Sequence, residues 1–352
     1  MKVIKFNYGV PVFSFNNHSK EEKMKHKTFR HLVFVTVVIA TFLISPICVN
    51  AATTLRLGHI FPITHPVHKA TTTMADYIAK QCNGEVEIKV HSGGALGKGT
   101  NLAESIHLGT VSMGTAGPGL LSRLEPAWGL VAGEYVFKDM ESMFKVLNGP
   151  VGDDIKNRLI NKRGIRAIGI GYLGQRNITA NKPIHKPEDM KGLKIRIPNI
   201  PLRKASFLAL GAAPTPMAFS EVYLALKQGV VDCQENPLAQ IVTAKFYEVQ
   251  KYLILSGHAL NPEILLINEK KFKGLSASSQ DALLKGAKVY EDTLLTEFKT
   301  MKLALLEKIL DSGVIVMRPD IEAFSKAVRD VPYQFEDKWG KGLYDKVVKA
   351  QE

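Results

Sequence analysis

The chain alternates between short runs with hydrophobic residues at every second position and longer runs with a spacing of three to four. That alternation predicts strands separated by helices. Thr54–His59 reads as a strand, and the residues from about Pro66 to Cys82 read as a helix stopped by Asn83-Gly84. Val86–Val90 is a second strand, Gly93-Gly94 a turn, and Asn101–Leu108 a helix. Arg166–Gly171 and Leu193–Ile197 are strands, and Phe219–Lys227 is a short helix leading into Val230-Val231. The longest periodic run is Gln280–Asp311. Leu283, Leu284, Ala287, Tyr290, Leu294, Phe298, Met301, Leu305 and Ile309 place one face of a long helix on a core, and Gly313 ends it. Val314–Met317 is a strand, and Pro319 opens the last helical region. This order of elements predicts an α/β fold with largely parallel sheets.

The first 51 residues read as an address rather than as structure. Lys25, Lys27 and Arg30 form a basic front, Leu32–Ile47 is an apolar run broken by Thr36, Thr41, Ser45 and Pro46, and Val49-Asn50-Ala51 is a small–any–small processing site. The pattern predicts a secretory signal peptide cleaved after Ala51, and hence an exported protein. A membrane anchor is the alternative; the run is short for a span. Ile47 is too bulky to precede a lipidated Cys48. Residues 1–23 carry no core pattern.

A chain of 352 residues has room for two domains or one large one. With 45% hydrophobic and 22% charged residues it is not a disordered chain, and three cysteines cannot staple a fold of this length. Net charge is +13. The first 51 residues hold seven Lys/Arg and two Asp/Glu, a net of +5, which leaves +8 for the exported part. A basic surface suits nucleic acid, anionic lipid or acidic small molecules. The positive residues are scattered among acids, with no basic block interleaved with aromatics, and export removes nucleic acid as a partner. Cys82 and Cys233 remain in an oxidising compartment, and whether they pair is open at this level.

Gly169, Gly171 and Gly174 spell G-x-G-x-x-G after a strand, the formal dinucleotide fingerprint. No helix opens inside it: Gln175 to Thr179 continue with β-branched residues and a loop through Pro183. The glycines therefore read as points of close backbone approach, and no cofactor is expected. His59, His65 and His68 cluster early, but no nearby Cys or Glu completes a metal-ligand spacing; His65, just before Pro66, reads as a helix cap. No G-x-S-x-G, H-E-x-x-H or C-x-x-C occurs, so no catalytic set can be pointed to. Two arginines stand out. Arg176 follows a glycine-rich strand end. Arg196 sits inside an apolar strand and faces away from Ile195 and Ile197. It is either a surface residue or a fixed guanidinium in a cleft, where its planar donor fork fits a carboxylate.

Longer segments carry a family resemblance: KGLKIRIPNIPL from Lys191, GAAPTPMAFSEVYLALKQGVVDCQENPLAQI over 211–241, LGHIFPITHPVHKA over 57–70, NGEVEIKVHSGGALG over 83–97 and GQRNITANKP over 174–183. From about 54 to 345 the chain resembles the substrate-binding proteins of tripartite ATP-independent periplasmic (TRAP) transporters, in their dicarboxylate-binding branch. The resemblance implies a periplasmic-binding-protein-like fold: two α/β domains around a ligand cleft, braced by a long helix. Domain I would take 52–173 and about 262–301, and domain II 174–261 and about 302–352. It implies that Arg196 clamps the ligand carboxylate, Arg176 is a second arginine, Asn236 an amide partner and Phe219 an aromatic wall, with His59 and Tyr172 as further ligand-binding candidates. The expected location is the periplasm, and the expected partners are a small organic acid and the membrane subunits of a TRAP transporter, with no metal, cofactor or enzymatic activity. A periplasmic lyase and a ligand-presenting sensor are the alternatives; product formation would reveal the first and a neighbouring receptor-kinase gene the second. Two departures matter. Cys233 stands where the family usually has glycine, and either packs as a small hydrophobe or trims the cavity. Gly114–Ser122 lacks the acidic residue of sialic-acid-binding relatives, which leaves C4-dicarboxylates, sugar acids and keto acids.

Overall fold

The computed structural model describes residues 52–352; the predicted signal peptide and its cleavage site lie outside the described residues. Among the described residues, nine strands form one mixed sheet. Strand β1 (Thr53–Gly58) lies between β2 (Val86–His91) and β3 (Met113–Ala116), parallel to both. Two long strands, β4 (Ile165–Ala180) and β8 (Tyr252–Asn268), pair antiparallel. The C-terminal end of β8 carries β3. The C-terminal end of β4 carries β7 (Cys233–Asn236), then β5 (Lys194–Ile197) and β6 (Ala213–Pro216). β9 (Ile315–Met317) lies along the start of β8.

The expected largely parallel sheet is thus corrected to a mixed one. The outer strands of each half are parallel, as βα alternation requires. The chain leaves the first half along β4 and comes back along β8, and two adjacent strands that carry it out and back must run antiparallel.

The expected long helix spans Ala277–Asp311, capped by the Ser276 hydroxyl, which accepts from Ser279 N at 3.2 Å. Its first half buries Leu283, Ala287, Tyr290 and Leu294 in a core with Leu55, Leu57, Met74 and Ile267. Its far end puts Ile309 into a separate core with Val222, Phe246, Leu253 and Val314. Each large apolar side chain buried this way contributes about 1.5–3 kcal/mol, so the helix braces both halves. It also accounts for the glycine motif. A Cβ on Gly171 would lie 2.2 Å from a Leu294 methyl, and Gly169 meets Ala287. Glu291 Oε1 accepts from Ile170 N at 2.7 Å, beside the register shift between Ala167 and Gly169.

Cys82 and Cys233 are separate buried thiols. Cys233 packs in the core beside β5, its Sγ 3.8 Å from Lys194 O, and burial pushes the thiol up. The C-terminal residues return to the first half: Gln351 Nε2 donates to Val136 O and its Oε1 accepts from Lys138 N, both at 2.9 Å.

Candidate functional site

The β4–β8 pairing is irregular between Tyr172 and Gln175 and again between Arg176 and Ile178. Inside the first shift Gly174 takes φ +96°, a conformation that favours glycine, and its α-carbon faces Phe298 of the long helix. The distortion turns the middle of β4 toward a cavity at the junction of the two sheet halves. Its polar wall is Arg176, Arg196, Arg203, Asn236, Gln240, Asn261 and Glu263; its apolar wall includes Phe61, Ile200, Phe219 and Leu260. An inner space of about 90 Å³ adjoins an outer one of about 230 Å³ that shares Arg196, Pro198 and Phe219 and reaches Lys98 and Ser220.

Arg196 is where strand alternation predicts. Ile195 and Ile197 are fully buried in the core, and Arg196, 3% exposed, points from the opposite face into the cavity. Its Nε and Nη2 both donate to Met217 O, at 3.1 and 2.7 Å, which fixes the plane of the guanidinium. Among the described residues no protein acceptor engages Nη1, and no carboxylate pairs with the group. Burial pushes Arg196 down to about 9; Glu235 pulls it back up, and Arg176 and Arg203 push it further down. At neutral pH it still carries its charge.

The other two arginines are already matched. Arg176 grips the Glu235 carboxylate through Nε and Nη2, and Nη2 also donates to Asn236 Oδ1 at 3.0 Å while Nη1 donates to Asn261 Oδ1 at 2.7 Å. Asn236 Nδ2 is taken by Gln234 Oε1 at 2.6 Å. Arg203 donates through Nε to Glu134 at 2.8 Å, through Nη1 to Glu235 at 3.3 Å and through Nη2 to Ala132 O at 2.7 Å. His258 Nε2 lies 3.1 Å from Glu235 Oε2. Burial works against the charge of Glu235, but Arg176, Arg203 and the His258 hydrogen bond hold its carboxyl well below the usual carboxylate range. Burial lowers His258, so it donates as a neutral imidazole.

Phe219 lies edge-on to Phe61 at 6.2 Å between ring centres, closing one side of the cavity. His59 is fully buried behind that wall, its Nε2 3.1 Å from His68 Nδ1; burial and His68 push it down to about 4, so it stays neutral. His65 caps the helix Pro66–Gln81, accepting from Val67 N at 3.2 Å, and stacks on Phe61 at 4.1 Å. Tyr172, expected near the ligand, is placed elsewhere than the cavity wall. Its ring packs 4.7 Å from Phe298 and 6.4 Å from Phe144, on the face of β4 that meets the long helix, and it does not line the cavity. Cys233 does not line it either.

Sequence reasoning passed over Arg203, Glu134, His258, Asn261 and Glu263. Glu134 did carry a signal: it is the one charge between Pro126 and Phe137. Gly119 and Ile200 press together across the cavity mouth; a Cβ on Gly119 would lie 2.1 Å from Ile200 Cδ1. Gly119→Val is expected to hold the two walls apart. An overpacking cost of about 1–3 kcal/mol, borne where the walls meet, weakens ligand binding about tenfold in calorimetry and leaves the fold intact by circular dichroism.

A sheet shared by two α/β halves, with an arginine cluster sunk in the crease between them, is the build of an extracellular solute-binding protein. Residues 57–338 match the family model for bacterial extracellular solute-binding protein, family 7 (DctP). The chain belongs to this family, the solute-binding proteins of TRAP transporters. It is 32% identical over 313 residues to the sialic acid-binding periplasmic protein SiaP of Vibrio cholerae, covering 89% of this chain and 97% of that one. It is 33% identical over 323 residues to the 2,3-diketo-L-gulonate-binding periplasmic protein YiaO of Escherichia coli, covering 88% and 96%. A TRAP periplasmic solute-binding protein of Roseobacter denitrificans solved with bound L-galactonate superposes with a TM-score of 0.79 at 32% identity, covering 85% of this chain and 98% of that one. The sugar acid binding protein DctPAm of Advenella mimigardefordensis, solved with galactonate, superposes with a TM-score of 0.81 at 28% identity, covering 85% and 98%. These relatives are solute-binding proteins, periplasmic ones where their names say so, and the chain shares their two-domain α/β fold.

Proposed function

We propose that this protein captures a monocarboxylic hydroxy or keto acid, with sugar acids as the leading class, and delivers it to the membrane subunits of a TRAP transporter. One observation carries the reading: of the three buried arginines among the described residues, two are matched by Glu134 and Glu235, whereas Arg196 faces the cavity with only a carbonyl for company. A single unmatched cation in a buried site calls for a single carboxylate, because a buried charge is tolerated only when paired. The free edge of the Arg196 fork would receive it, and Phe219 and Phe61 would cover the carbon chain. Asn236 contributes chiefly by holding Arg176. The galactonate, galacturonate, glucuronate and erythronate bound in relatives fit this class.

The hinge would lie where β4 and β8 cross between the halves, dividing the chain into 52–173 with about 262–301 and 174–261 with about 302–352. Bonds that form only when the halves meet around the acid would favour the closed state by the ligand's differential affinity for it. The test is a thermal-shift panel of galactonate, galacturonate, erythronate, pantoate, succinate, sialic acid and galactose, with mass spectrometry of any acid released from freshly purified protein. Stabilisation by sugar monoacids above succinate, sialic acid and the neutral sugar is expected. Equal stabilisation by galactose, or none by any acid, overturns the reading.

A further inference from the structure

Glu263 has no place in the charge balance described above. It sits on β8 in the inner cavity with Arg176, Arg196 and Asn236, is 3% exposed, and its carboxyl makes no hydrogen bond to any described residue. The groups around it leave it unpaired. Across the sheet on β4, Arg176 is committed to Glu235, Asn236 and Asn261. On β3, the Thr115 hydroxyl is close enough to favour the charged carboxylate but closes no well-formed hydrogen bond to it. On the long helix, Tyr290 donates to the Glu263 backbone carbonyl at 3.3 Å and not to its side chain. On its own strand, Asn261 Oδ1 is an acceptor turned to Arg176. The turn at Gly117 brings only backbone, 3.8 Å from Oε2 to a Cβ built there. A bare carboxylate in this position would repel an acid held by Arg196 in the same cavity.

We propose that Glu263 meets the ligand as a neutral carboxylic acid that hydrogen-bonds an uncharged hydroxyl or oxo oxygen of the captured monoacid, so that capture at neutral pH takes up a proton. The inference rests on the ligand class proposed above. Burial pushes Glu263 up to about 7, against the pull of Thr115 and Arg176. The arriving anion pushes it further in the same direction, since a like charge nearby disfavours ionisation. Affinity therefore falls as pH rises through 7, by up to tenfold per unit until the ligand-bound carboxyl also ionises. The sugar acid itself stays ionised throughout that range. Tyr290, raised well above its usual range by burial and by Glu263, stays neutral too.

Calorimetric titration with galactonate between pH 6 and 8.5, in two buffers of different ionisation enthalpy, reads both the slope and the proton. Wild-type affinity is expected to drop at least about tenfold over the range, with uptake of a substantial fraction of a proton near pH 7.5. Glu263→Gln, a permanently neutral isostere, is expected to change less than twofold over the range and to bind more tightly than wild type at pH 8.5. A ligand-free measurement runs beside it. A carboxyl raised in the folded state costs stability as pH climbs from its unfolded value near 4.5 to about 7, so wild type should lose melting temperature relative to Glu263→Gln from pH 5 to 8. A flat wild-type profile, or the same slope in both proteins, overturns the role of Glu263 and leaves the sugar-acid reading standing. Failure to bind any acid of the panel at any pH overturns both.

Discussion

Arg196→Ala lowers the affinity for the captured acid at least about thirtyfold in calorimetric titration, as a loss of ~2 kcal/mol or more requires. The expectation follows from what each partner keeps. Among the described residues Arg196 is the one buried arginine with no carboxylate in contact, so most of its pairing energy is realised only when ligand arrives. Removing it also leaves the ligand anion unpaired in a nearly dry space, and truncating one partner of a buried charge pair costs about 2–5 kcal/mol. Arg196→Lys should fare little better. Nε and Nη2 anchor the group to Met217 O while Nη1 remains for the acid, and a single ammonium cannot hold the carbonyl and present a planar fork at once. Melting temperature in the absence of ligand should hold or rise in Arg196→Ala, because the net charge buried in the cavity falls, whereas Arg196→Lys keeps that charge and should not gain. Wild-type affinity in either variant would refute the clamp.

How legible the site was depended on where each residue sits in its element. Arg196 could be read because a charge alternating with Ile195 and Ile197 is conspicuous in a strand, and alternation alone gives its direction. Arg203 could not: an arginine one turn into the helix Pro201–Ala209 looks like any solvated helical cation, and only the fold carries Glu134 and Glu235 to it. The largest omission in the fold has the same root. β8 is apolar at its ends, Tyr252–Leu255 and Ile264–Ile267, but its middle holds Ser256, Gly257, His258, Asn261, Pro262 and Glu263, which read as a break. That middle is where the strand crosses the cavity, so the residues that hide the strand are those that furnish the site. β4 shows it more mildly. The predicted strand stops at Gly171, yet the element continues to Ala180 through a distortion that aims Arg176 inward. Tyr172, one residue beyond Gly171, faces the long helix, and nothing in the local pattern distinguishes that face from the cavity face.

Glu235→Gln is expected to destabilise the protein by about 3–5 kcal/mol, the cost of stranding buried charge, which at ~2–4 °C per kcal/mol lowers the melting temperature by roughly 10 °C. Glu235 is completely buried and receives Arg176, Arg203 and His258 together. Without its charge, two guanidiniums share Glu134 alone. The pH dependence has a definite sign. Because the folded protein holds Glu235 below the usual carboxylate range, its contribution is complete above the unfolded value near 4.5 and is lost as pH falls through the folded one. The gap between wild type and variant should therefore be widest near neutrality and narrow in acid. Charge balance also predicts a rescue. Arg176→Met added to Glu235→Gln restores one cation to one carboxylate, Arg203 with Glu134, and should recover part of the lost melting temperature even though a second native residue is gone. A double variant no more stable than Glu235→Gln alone would mean that hydrogen-bond geometry, and not the matching of charge, holds the crease together, and with it the argument that Arg196 is left unmatched for the ligand would lose its footing.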